Sequence, residues 1–142
     1  MDWPYLLNSF HGRIGRQTFW IAMGAVAVAE IVAHLIAEEL QGDRLGAIVD
    51  LAFTYPEFAV AVKRGHDRNM PVWVLAVFFA AGALLDLLTV LGWTGTEEAP
   101  STISLVIAVP FTVFGLALLV ELGFRKGAPG PNQYGPDPLA KN

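Results

Sequence analysis

Four apolar runs dominate this chain and leave few folds open to it. They cover residues 19–40, 45–62, 71–93 and 101–124, with only short polar connections between them. Each approaches the roughly 20 residues a helix needs to cross a hydrocarbon core ~30 Å thick. In lipid the backbone N–H and C=O groups have no water to bond, so such spans are helices. Only 15% of the residues are charged, against about 25% in soluble domains. A chain of 142 residues has too small an interior to hide this much apolar surface from water. The expected fold is therefore all-α and integral to a membrane: a four-transmembrane-helix bundle forming a single membrane domain over residues 1–142. The second run holds Asp50, Pro56 and Glu57, which leaves an in-plane or re-entrant path as its alternative. The basic residues that follow it favour a true crossing.

Basic residues orient the bundle. Arg13 and Arg16 precede the first run, Lys63, Arg64 and Arg68 follow the second, and Arg125, Lys126 and Lys141 follow the fourth. Eight of the nine basic residues thus share one side, while Arg44 joins Glu38, Glu39, Asp43, Glu97 and Glu98 on the other. The basic side is expected to be the cytoplasm, with both termini there. The start, Met1-Asp2-Trp3-Pro4, lacks the basic region of a secretory signal, and no cleaved segment is expected. In residues 1–12, Trp3, Leu6, Leu7 and Phe10 fall on one helical face. Asp2 suits the cap and Pro4 the first turn of a short interfacial helix. Residues 125–142 carry four Pro and three Gly, so they form a turn-rich tail and not a helix.

Polar residues within the runs need a reason, since a charge at the bilayer centre costs about 2.5–3.5 kcal/mol on insertion scales. Glu30 and His34 stand one turn apart; Asp50, Thr54, Glu57 and Arg64 share one face; Asp86 and Glu121 belong to the third and fourth runs. By depth, Glu57 and Glu121 are expected to pair with Arg64 and its basic neighbours. Glu30, His34, Asp50 and Asp86 form a second polar group farther along. Ala25, Ala29, Ala33 and Ala37 recur every fourth residue, a strip that permits close helix approach, within the chain or in a homo-oligomer. Pro56 and Pro110 each remove a backbone donor inside a run.

Three motif segments face the basic side. They are Ser9-Phe10-His11-Gly12-Arg13-Ile14-Gly15-Arg16-Gln17-Thr18-Phe19-Trp20, then Lys63-Arg64-Gly65-His66-Asp67-Arg68-Asn69 with Trp73, and then Gly130-Pro131-Asn132-Gln133-Tyr134-Gly135-Pro136-Asp137-Pro138. In order and spacing they resemble the domain of unknown function 805 family (YhaH-like small bacterial inner-membrane proteins). The pattern is carried by Arg13, Arg16, Phe19, Trp20, Arg64, His66, Asp67, Asn69, Trp73, Asn132, Tyr134 and Gly135. Gly65 and Pro71-Val72 depart from it. The resemblance implies a multi-pass protein of the bacterial inner (plasma) membrane and brings no activity with it.

Physically the three segments make one surface. Arg13 and Arg16 share a helical face, Arg64 offers a planar fork, and Asp67 can hold an arginine or the His66 ring. Tyr134 can close over them. The reading is a non-enzymatic membrane component whose motifs bind an anionic lipid headgroup or a partner membrane protein. Its candidate contacts are Arg13, Arg16, Arg64, His66, Asp67, Asn69, Asn132 and Tyr134. The alternative is a small transport or ion-permeation subunit using the intramembrane carboxylates. A membrane enzyme using His66 and Asp67 comes third, because no nucleophile, HExxH or phosphate-loop pattern accompanies that pair. His11, His66 and Asp67 lack diagnostic metal-site spacing, and the absence of cysteine removes thiolate sites. No metal, cofactor or nucleic-acid partner is expected.

Overall fold

The structure, a computed structural model, describes residues 1–40, 43–95 and 101–140, with the side chains of Glu38, Asp43, Arg44 and Ile103 set aside. The charges expected at the end away from the basic side, Glu38, Asp43, Arg44, Glu97 and Glu98, lie outside the described residues or side chains, as does Lys141. Five α-helices follow in chain order: α1 (Trp3–Asn8), α2 (Arg16–Leu40), α3 (Asp43–Asp67), α4 (Val72–Val90) and α5 (Thr102–Leu119). A π-helical turn, Val120–Phe124, continues directly from α5. Four of these helices are long and apolar enough to cross a membrane, which makes this a multi-pass membrane protein with a short N-terminal helix.

Local chemistry explains several boundaries. The Asp2 carboxylate accepts from the Tyr5 N–H at 3.1 Å, capping α1, and Pro4 occupies its first turn. Ser101 caps α5 by accepting from the Ser104 N–H at 3.2 Å. α3 runs unbroken through Pro56 and does not stop at Val62; Lys63, Arg64, His66 and Asp67 are helical rather than loop residues. The extension is possible because their polar groups find partners inside the protein. Asn69 ends the run in the left-handed conformation (φ 57°). There the Met70 N–H reaches back to the Gly65 carbonyl at 2.8 Å, a helix-stopping motif that Asn tolerates.

α3 is the hub, packing against α1, α2, α4 and the π turn, while α5 leans on α4. The buried apolar core is Leu6, Ile14, Phe19, Ala22, Val60, Ala61, Val62, Leu75, Leu118 and Leu122, all gathered toward the basic end. Elsewhere large apolar side chains face outward, such as Val28, Leu35, Val106 and Val113. Lipid makes that arrangement favourable where water would not. The alanine strip divides: Ala37 is buried and Ala33 half-buried, whereas Ala25 and Ala29 are exposed.

Candidate functional site

Arg13, Arg64 and Asp67 meet at the basic end, where α3 stops and the tail returns. Both guanidinium groups are buried: side-chain exposure is 1% for Arg13 and 0% for Arg64, with 4% for Asp67. Arg13 donates Nε and Nη2 to Asp67 Oδ1 at 3.2 and 2.9 Å. Arg64 donates Nη1 to the other carboxylate oxygen, Oδ2. Two cations share one anion, so the remaining donors need other acceptors, and main-chain carbonyls supply them. Arg13 reaches Ala128 and Gly130 at 2.7 Å each and Gly135 at 3.3 Å. Arg64 reaches Leu122 at 2.7 Å and Arg125 at 2.6 Å. The planar five-donor fork of arginine suits this multiple capture, which a lysine could not reproduce.

The π turn makes the arrangement possible. A π turn withdraws carbonyls from the ordinary helical ladder. Here the Leu122 carbonyl accepts from Arg64, that of Gly123 from Trp20 Nε1 at 3.0 Å, and that of Phe124 from Arg16 at 3.1 Å. Gly127 then lies against Asp67, where a Cβ would collide with the carboxylate. The Ala128 N–H donates to the Asp67 carbonyl at 2.7 Å.

His66 and Tyr134 tie down the rest of the tail. Their rings stack with centroids 3.8 Å apart and planes 8° from parallel. His66 Nδ1 lies 3.0 Å from the Gly12 carbonyl, and the His66 carbonyl accepts from Asn132 Nδ2 at 2.9 Å. Asn132 and Gly135 pair through both backbone bonds at 3.0 Å. Asp137 accepts from the Gly130 and Leu139 N–H groups at 2.9 Å each. Those two backbone bonds hold its carboxyl below the ordinary aspartate range. His66 and Asp67, adjacent in sequence, do not pair with each other: the ring goes to Gly12 and the carboxylate to the two arginines. Asn69 serves as the helix stop, with its side chain exposed.

Lys63 is a further buried cation. Its Nζ donates to the Leu6 and Ala59 carbonyls at 2.8 Å and to the Ser9 carbonyl. It sits 5.4 Å from the Tyr5 ring centroid and so fastens α1 to α3. Sequence reading placed Lys63 among the orienting charges and did not foresee this role; a lysine beginning a run of motif residues is the signal available. Among the described residues, no buried side-chain nitrogen or oxygen lacks a partner.

Two cavities border the clasp. One of about 280 Å³ is lined by Arg16, Arg64, Asp67, Lys126 and Gly127, among others. The second, about 650 Å³, runs past Arg16, Gln17, Thr18, Trp20, Phe124 and Leu139. Arg16 borders both, at the first turn of α2, and among the described residues its side chain makes one hydrogen bond, to the Phe124 carbonyl. His66 lines neither.

The intramembrane polar residues divide differently from the depth argument. Glu121 pairs with Arg68 at 2.7 Å and with Arg125 at 2.6 Å, near the basic end. Glu57 makes no ion pair with Arg64, whose fork is filled by Asp67 and two carbonyls. It lines instead a cavity of about 270 Å³ with Glu30, Asp50, Thr54 and Asp86, whose apolar wall includes Phe78, Phe79 and Phe111. His34 Nε2 lies 2.6 Å from Asp50 Oδ1 at the edge of this group.

Comparison with known proteins finds uncharacterised relatives. The chain is 31% identical over 137 residues to the uncharacterised protein YiiR of Escherichia coli (strain K12), covering 92% of this chain and 86% of that protein. The YiiR protein of Escherichia coli O157:H7 matches to the same extent. No solved structure matches the chain. Residues 7–136, from the end of α1 through all four long helices and most of the clasped tail, match the family described as protein of unknown function (DUF805), and the chain belongs to that family.

Proposed function

We propose that this protein is a non-enzymatic component of a bacterial inner membrane whose cytoplasmic face holds the phosphate of an anionic lipid headgroup. The observation that carries the reading is the position of Arg16. Arg13 and Arg64 are enclosed by the clasp, whereas Arg16 borders two cavities and retains donors. It stands in the first turn of α2, where backbone N–H groups point outward and favour an anion. The larger cavity joins Arg16, Gln17 and Thr18 to the apolar walls of Trp20, Phe124 and Leu139. That gradient matches the junction between a headgroup and its acyl chains. Lys126 lies beside Arg16 in the adjoining cavity, and each basic group near an anionic leaflet contributes about 1 kcal/mol.

In this reading Arg13, Arg64, His66, Asp67, Asn132 and Tyr134 shape the platform and Arg16 meets the lipid. The clustering of basic residues supports a cytoplasmic location for this end and for both termini. Lipid retention is measured by native mass spectrometry after exchange into phosphatidylglycerol or phosphatidylcholine. The wild-type protein is expected to prefer the anionic lipid. Arg16→Gln should weaken that preference about fivefold, the equivalent of ~1 kcal/mol, with helical content unchanged. Equal retention of both lipids by the wild-type protein would refute the proposal.

A further inference from the structure

We infer that Glu30, His34 and Asp50 form a reversible site for a divalent transition-metal ion inside the membrane-spanning region. This goes beyond the lipid reading and rests on other residues at another depth. Glu30 and His34 are one turn apart on α2, so both project from one face. Asp50 comes to them from α3. One donor atom from each lies within 4.8 Å of the others. Gly46 faces the His34 ring, with 3.4 Å between a Cβ position there and the imidazole, so α3 passes close by.

The donor set defines the ligand class. An imidazole with two carboxylates suits Zn²⁺, Mn²⁺ or Fe²⁺ better than Mg²⁺, which favours all-oxygen octahedral shells and keeps its water. Three protein donors leave coordination positions open, as in exchangeable rather than structural sites. The surroundings of the three residues are consistent with a cation. Glu30 and Asp50 also line the 270 Å³ cavity, together with Glu57 and Asp86, and among the described residues no lysine or arginine lines it. Four carboxylates around one cavity within the spans repel one another when ionised, and a bound cation at its edge would offset that repulsion. Glu57 and Asp86 line the same cavity beyond the three ligands.

The test uses the full chain in nanodiscs. Zn²⁺ and Mg²⁺ binding is followed by calorimetry, and Co²⁺ binding by its visible absorption. Wild-type protein should bind Zn²⁺ and Co²⁺ but not Mg²⁺. His34→Gln should weaken Zn²⁺ binding by more than about tenfold, the scale on which even outer-shell changes act. Glu121→Gln, remote from the site, should leave it unchanged. The chain has no cysteine, so His34→Cys offers a signal that loss of folding cannot imitate: a new sulfur-to-cobalt charge-transfer band. No Zn²⁺ binding by wild-type protein, undiminished binding in His34→Gln, or Co²⁺ bound to His34→Cys without that band would each overturn the inference.

Discussion

Asp67 accepts from two guanidinium groups through its side chain and from Ala128 through its carbonyl. Asp67→Asn keeps the shape and removes the charge, which leaves Arg13 and Arg64 buried without a counter-ion. Breaking a buried pair in this way costs about 3–5 kcal/mol. Glu121 also binds two basic residues, but in a partly exposed position. Its pairs are of the kind that contribute at most about 1 kcal/mol. Denaturant unfolding of the detergent-solubilised protein should therefore separate Asp67→Asn from Glu121→Gln by at least ~2 kcal/mol. Similar losses in the two variants would contradict the clasp as the main polar lock. The residues of the clasp were legible in the sequence as a group, since Arg13, Arg64, Asp67 and Tyr134 all belong to the motif segments. Their partners were not. Most acceptors are main-chain carbonyls of Leu122, Arg125, Ala128, Gly130 and Gly135, and any residue type supplies a carbonyl.

At the scale of elements, the four spans follow from apolar length alone, and the N-terminal helix follows from Asp2 and Pro4. Depth along α3 was harder to read. Glu57 and Arg64 lie on one helical face, but seven residues separate them by ~10 Å along the axis. The nearer Asp67 therefore takes the arginine, and Glu57 stays with the membrane cavity. The π turn has no signature in residue type, and its last three carbonyls accept from Arg64, Trp20 and Arg16. Packing between elements is equally specific at Gly65, where an added Cβ would stand 2.8 Å from Leu75 Cδ1 at the α3–α4 contact. Gly65→Ala should force that contact apart and cost about 1–3 kcal/mol. Leu75→Ala alone costs about 2–5 kcal/mol, so a double variant that loses clearly less than the sum of the two would confirm the steric cause, and additive losses would argue against it.

Across the whole molecule, tight packing and polar locking coincide at one end. Val60, Ala61, Val62, Lys63 and Arg64 on α3 are almost wholly enclosed, while the far half of α2 presents Val28, Ile31, Val32, Leu35 and Ile36 outward. Local opening is easiest where few contacts must break. Hydrogen exchange in nanodiscs should therefore be slowest through Val60–Asp67 and faster toward His34–Leu40, the half that carries the inferred metal site. Uniform protection along both helices would show the asymmetry to be energetically unimportant. A rigid base joined to a more yielding far half also suits a site that must admit and release an ion.

The order in which the clasp's parts are synthesised gives it a further meaning. Arg13 leads into α2 and Arg64 ends α3, yet the carbonyls of Ala128, Gly130 and Gly135 that enclose Arg13 follow all four long helices in the chain. Until translation has passed them, Arg13 has only Asp67 among its final partners. A nascent chain stopped before residue 128 consequently lacks the main-chain cover over Arg13, so the finished clasp marks a completed bundle.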